Sequence, residues 1–138
     1  MSILGWRYKK GPVLESDFMK IEISFGIQLP ELYKEIVREN NGGRPLPNRF
    51  DTENNKKRVI KAFLSIDERE GNLENVYGWI KERIPQQIIP FASDPGGNYL
   101  CFDYRSSPVD PSVVFWNHEN NSIEMVSLDF TSFTKMVY

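Results

Sequence analysis

Apolar residues recur at helical spacing in four places along the chain and gather into strand-like runs in five. Phe18, Ile21 and Phe25 predict a first helix, capped by Ser16 or Asp17 and closed by Gly26. Pro30 suits the first turn of a second helix, where its missing N–H is not needed. Leu32, Tyr33, Ile36 and Val37 form its apolar stripe, with Glu31, Lys34, Glu35 and Arg38 on the other side. The polar, proline-bearing segment 44–58 reads as a loop, and Val59–Ile66 as one β-branched strand. Leu73, Val76, Tyr77, Ile80 and Ile84 predict a third helix, weakened by Gly78 and stopped by Pro85.

After Pro85 the pattern changes to short runs and turns. "QIIPFA", "YLCFDY", "SVVFWNH" and "IEMVSL" are separated by "SDPGGN", "SSPVDP" and a tight turn at Glu119–Asn121. Strands joined by short turns pair antiparallel. A last helix opens with the capping residue Asp129 and carries Phe130, Phe133 and Val137 on one side. The fold class is α+β: a mostly antiparallel sheet of four to five strands with helices packed on it. Residues 1–13 read as an N-terminal arm, and 14–138 as a single domain with no repeat or linker to divide it.

The "ENNGGRP" segment raises the question of a phosphate cradle. Such a cradle sets its glycines before a helix, at the positive end of the dipole. Gly42 and Gly43 follow a helix instead, at its carbonyl end, and read as its cap. No Gly-Lys-Ser/Thr sequence is present, and no cofactor is expected.

Composition narrows the classes further. Forty per cent apolar residues in 138 suffice for a core, and a net charge of −2 carries no whole-chain basic footprint for nucleic acid. The single Cys101 excludes an intramolecular disulfide. No run approaches a membrane span, and "MSILGWRYKKGP" lacks the apolar stretch of a signal peptide, so a soluble cytoplasmic chain is the expectation.

Catalytic and metal chemistry find little support. One histidine, His118, and one cysteine do not make a zinc site. Cys101 lies inside "YLCFDY", where a buried hydrophobe is expected rather than a partner for His118. Asp94, Asp103 and Asp110 match no cation-binding loop. The aromatic runs could stack on bases, but between Asp94 and Asp129 six acids meet one base, Arg105, and phosphate would be repelled.

The charges are unevenly spread. Residues 1–69 hold thirteen bases and ten acids, and residues 70–138 hold four and nine. An acidic, aromatic-rich surface suits a basic protein partner. Turns and strand ends concentrate binding residues. The candidate partner-binding residues are therefore Asp94, Asp103, Tyr104, Trp116, His118 and Glu119.

Three segments together carry a resemblance. "IQLPELYKEIVRENNGGRP", "IIPFASDPGGNYLCFDYR" and "VVFWNHEN" are similar, in order and spacing, to segments of the SUKH superfamily, in the branch of the fungal cell-wall assembly (glucan synthesis) regulators. Asn117 departs from it, standing where an aspartate is more usual. The resemblance implies a non-enzymatic α+β binding domain with no catalytic residue to carry over. Bacterial members are mostly immunity proteins of polymorphic toxin systems, which bind and neutralise toxins that are often nucleases. A nuclease must be cationic to hold its substrate, so an acidic inhibitor is complementary to it. The expected partner is thus a basic cognate toxin. Two rivals stand beside it: a regulatory module with an endogenous partner, and a small hydrolase using Asp94, Asp103, His118 and Glu119 in one pocket.

Overall fold

Glycine, proline and asparagine set the ends of the elements, and the apolar runs between them set what is buried. The computed structural model describes residues 2–138. Strand β1 (Gly5–Arg7) precedes helices α1 (Glu15–Phe25) and α2 (Glu31–Asn40). Four short strands follow: β2 (Arg44–Leu46), β3 (Arg49–Phe50), β4 (Arg58–Val59) and β5 (Ala62–Phe63). Helix α3 (Leu73–Ile80) leads through a 3₁₀ turn, Lys81–Arg83, into β6 (Ile88–Ser93), β7 (Tyr99–Asp103), β8 (Ser112–Trp116) and β9 (Ile123–Ser127), and α4 (Phe130–Met136) closes the order.

The main sheet runs β5-β6-β7-β8-β9, antiparallel throughout. This is the α+β architecture the turn pattern predicts. Residues paired directly across strands share a face. One face carries Leu100, Phe102, Val113 and Phe115, joined by Phe91 from a bulge in β6. Tyr33 of α2 and Phe130 of α4 pack on it, each edge-on to Phe102 at 5.1 and 5.7 Å, and Phe91 stacks on Phe102 at 4.3 Å. Each such buried ring contributes about 1.5–3 kcal/mol. The other face carries Pro90, Cys101, Val114 and Trp116, also buried.

Several boundaries differ from the sequence expectation, each for a local reason. Helix α1 begins at Glu15, with Leu14 before it. Asp17 acts from inside the first turn, accepting the Leu14 N–H at 2.9 Å, so neither Ser16 nor Asp17 is the cap. Segment 44–58 holds two short strands rather than one loop. Pro45 fits β2 because the strand pairs only with β1 through regular bonding and tolerates a missing N–H. Val59–Ile66 is not one strand. Val59 pairs with Arg49, the Ile60 N–H donates to Asn48, and the Lys61 N–H turns to Ser93. Helix α3 starts at Leu73 as expected, because Gly71 (φ 83°) is left-handed and Asn72 caps it, accepting the Asn75 N–H at 2.9 Å, but it ends at Ile80, short of Ile84, where the 3₁₀ turn takes over.

Residues 5–7 pair with β2, and Trp6 stands edge-on to Phe63 at 4.9 Å. The Phe63 N–H donates to the Gly43 carbonyl at 2.8 Å, which ties this ribbon to the sheet edge. Gly42 (φ 66°) lies in the turn after α2, so that glycine serves a turn and not a cradle.

Candidate functional site

Two turns meet at one end of the sheet. In the first, between β6 and β7, Asp94 folds its carboxylate back on its own loop. Its oxygens accept the Gly96 and Asn98 N–H groups at 2.9 and 2.8 Å and the Asn98 side-chain amide at 3.0 Å. Asn98, buried, then bridges to the second turn, between β8 and β9. Its amide oxygen accepts the His118 N–H at 2.8 Å and faces His118 Nδ1 at 2.7 Å. An amide oxygen only accepts, so Nδ1 carries the proton. The ring lies over Gly97 (φ 89°), where a Cβ would sit 3.5 Å from it.

Arg83 reaches the same end from the 3₁₀ turn. It donates to the His118 carbonyl, and its guanidinium lies 5.0 Å over the Trp116 ring. Tyr99, directly across from Trp116 on β7, stacks on it at 6.2 Å. Glu119 projects from the turn tip, exposed, while its N–H is held by Asn117 at 2.9 Å.

The six sequence candidates divide. Asp94, Trp116, His118 and Glu119 gather at this turn end. Asp103 and Tyr104 lie at the opposite end of β7, about 13 Å along a five-residue strand. Two of the six are corrected by burial. Tyr104 is 3% exposed, with its hydroxyl donating to the Gln28 carbonyl at 2.7 Å, and Trp116 is 1% exposed. Neither ring offers surface to a partner, because both faces of β7 and β8 are covered. Asp103 is occupied by Arg105, whose guanidinium donates to it at 3.0 and 2.8 Å. Burial pushes the Asp103 carboxyl up, but the Arg105 side-chain and backbone hydrogen bonds outweigh it and hold the group below its ordinary range.

The hydrolase reading required Asp94, Asp103, His118 and Glu119 in one pocket, and the sheet separates Asp103 from the other three. Among the described residues, no group of three or more His, Cys, Asp or Glu side chains is placed to hold a metal ion. Cys101 is fully buried opposite Val114, and burial drives its thiol far above its ordinary value, away from the reactive thiolate.

Asn98 and Arg83 were not among the sequence candidates. Asn98 stands beside the recognised glycine pair, where its side chain has no periodic signature. Arg83 is 35 residues from its partner His118 and only the fold brings it there. It also places a second cation in a region where the count from Asp94 to Asp129 finds only Arg105.

A five-stranded antiparallel sheet with helices on it, ending in two interlocked turns, defines a small α+β domain of the kind that presents loops on a rigid frame. The sequence pattern of the family described as SUKH_6: SMI1-KNR4 cell-wall matches residues 15–133, and the chain belongs to that family. A curated relative, the SPbeta prophage-derived uncharacterized protein YokK of Bacillus subtilis (strain 168), is 24% identical over 72% of this chain. The chain spans 59% of that relative's length. No helix among the described residues is long and apolar enough to cross a membrane.

Proposed function

We propose that the chain is an immunity protein. It binds a basic cognate toxin in the cytoplasm and neutralises it by occupying its surface, without chemistry of its own. Membership of the SUKH family supports this reading, and a prophage-derived relative agrees with a role in competition between genetic elements. The observation that carries the site is the turn end. Asn98 and Arg83 lock two loops together, so Glu119 and the free edge of His118 are presented at little ordering cost. Asp94 adds its charge from within the first turn.

The test is growth rescue. The chain is co-expressed with each of a set of candidate basic toxins, as wild type and as Glu119→Lys and His118→Ala. Rescue by wild type that is lost in Glu119→Lys, with the variant still folded, supports immunity through this end. Rescue by all three keeps immunity and discards the interface. The family's description favours a second reading, because it names the cell wall. In that case the partner is an endogenous protein, and wild type does not rescue.

A further inference from the structure

A cleft lies away from the turn end, where the arm and β2 meet the β5 edge. Its volume is about 350 Å³, and it contains none of the six sequence candidates. Ala62, Phe63 and Leu64 form an apolar floor, and Lys10, Arg44, Lys61 and Arg69 stand around it with a single acid, Glu70. Pockets for small organic ligands begin at about this size and share this plan of apolar lining with a few placed polar groups.

The charges there are not compensated by the protein. Arg69 pairs with Asp67 at 2.8 Å, and elsewhere Lys20, Lys34, Arg38 and Arg105 each have a carboxylate partner. Among the described residues, Lys10, Arg44 and Lys61 have none; most other bases also lack one, and what sets these three apart is that they line one concavity. Three unpaired cations around one concavity repel one another, in a chain whose net charge is −2. An anion placed between them removes that repulsion.

The cleft is held in shape by buried groups. Asn41 is 2% exposed. Its side chain donates to the Gly11 carbonyl at 3.2 Å and accepts the Ile66 N–H at 3.0 Å, and its own carbonyl accepts the Lys10 N–H at 2.7 Å. One side chain thus joins the arm to the segment after β5. The Lys10 stem crosses directly over Gly42, where a Cβ would meet Lys10 Cγ at 2.5 Å. Tyr8 takes the left-handed conformation (φ 57°), rare for a non-glycine residue, and stands 68% exposed at the rim. Tyr8 and Arg44 also line a neighbouring cleft of about 220 Å³, so they form the rib between two concavities.

We infer that this cleft binds a small phosphate-bearing organic anion of about mononucleotide size. Lys10, Arg44 and Lys61 meet the phosphates, and Tyr8 and the Phe63–Leu64 floor meet the organic body. Lysine and arginine donors suit phosphate oxygens, and an exposed tyrosine ring suits a planar group. This site is separate from the turn end and does not depend on the identity of a toxin.

The test is a titration of the ¹⁵N-labelled full chain with ADP, and separately with inorganic phosphate and with adenosine at matched ionic strength. The expected result is saturable shifts confined to Tyr8, Lys10, Gly42, Arg44 and residues 61–65, with phosphate and adenosine each at least about tenfold weaker than ADP. Arg44→Ala and Lys61→Ala each weaken ADP by about tenfold while the rest of the spectrum is unchanged, and Lys135→Ala has no effect. Non-saturating shifts, shifts scattered over Lys56, Lys57 and Lys135, or ADP binding by both cleft variants as tight as by wild type overturn the site. Phosphate binding as tight as ADP, or adenosine binding as tight as ADP, overturns the assigned ligand class.

Discussion

Two buried asparagines organise two different surfaces of this protein. Asn98 joins the turns at one end of the sheet, where acids are folded into their own loops. Asn41 joins the arm to the sheet edge, where cations are left without partners. The local chemistry is alike, but the outcome is opposite. At the turn end Asp94 makes three hydrogen bonds inside its loop, and Glu119 alone among the turn acids is exposed at the tip. At the cleft three cations without carboxylate partners line one concavity. Formal charge along the chain therefore describes neither surface; what counts is whether the fold supplies each charge with a partner.

The largest expected effect separates the two hubs. Asn41→Ala strands a buried Ile66 N–H and the Gly11 carbonyl, and lowers unfolding free energy by about 3 kcal/mol. Chemical denaturation measures this, and cleft amides lose hydrogen-exchange protection first. Asn98→Ala leaves groups closer to water, and about 2 kcal/mol is expected, with protection lost at the two turns instead. If either variant disturbs both regions equally, the hubs are not independent.

A third variant serves as an internal calibration. The Tyr33 hydroxyl is fully buried without a hydrogen-bond partner among Phe63, Phe91, Phe102 and Phe130. Tyr33→Phe removes it and stabilises the fold by about 1 kcal/mol, read from the denaturation midpoint. Neither surface changes.

Asp103 sharpens the comparison through pH. Its folded carboxyl titrates below the ordinary range, so its contribution is complete above the unfolded value of about 3.9 and is lost as pH falls through the lower folded value. Arg105 is half exposed, so the pair is worth about 1 kcal/mol or less. Asp103→Asn is therefore slightly less stable than wild type at neutral pH, and the gap closes in titrations taken below about pH 4. The smallest stability effect belongs to Glu119→Lys, within about 0.5 kcal/mol of wild type by the same denaturation assay. Its binding phenotype then reports on the surface alone.

The strands between Ile88 and Ser127 were legible because glycine, proline and asparagine punctuate them. Asp129 was legible as a cap for the same reason, and its carboxylate accepts the Ser132 N–H at 2.7 Å. β2 and β3 were hidden by Pro45 and by polar neighbours. The change of partner at Ile60 and Lys61 leaves no trace in an apolar run. Trp116 was misread as surface, although the run "VVFW" holds the corrective signal; Tyr104 follows Asp103, and its burial against Gln28, 76 residues away, has no local signal. A strand covered on both faces is continuously apolar, so its aromatics belong to the core. The uneven charge was visible, but the cleft depends on Asn41 bridging 30 residues to Gly11 and 25 to Ile66, which no local pattern encodes.

A toxin held at the turn end, as proposed, shields both turns from solvent. Hydrogen exchange of the chain alone and in complex with the toxin it protects against reads this shielding residue by residue. New protection is expected at residues 94–98 and 117–122, with the arm and residues 61–65 unchanged. Protection confined to the arm and the β5 edge, with both turns exchanging as in the free chain, would contradict it.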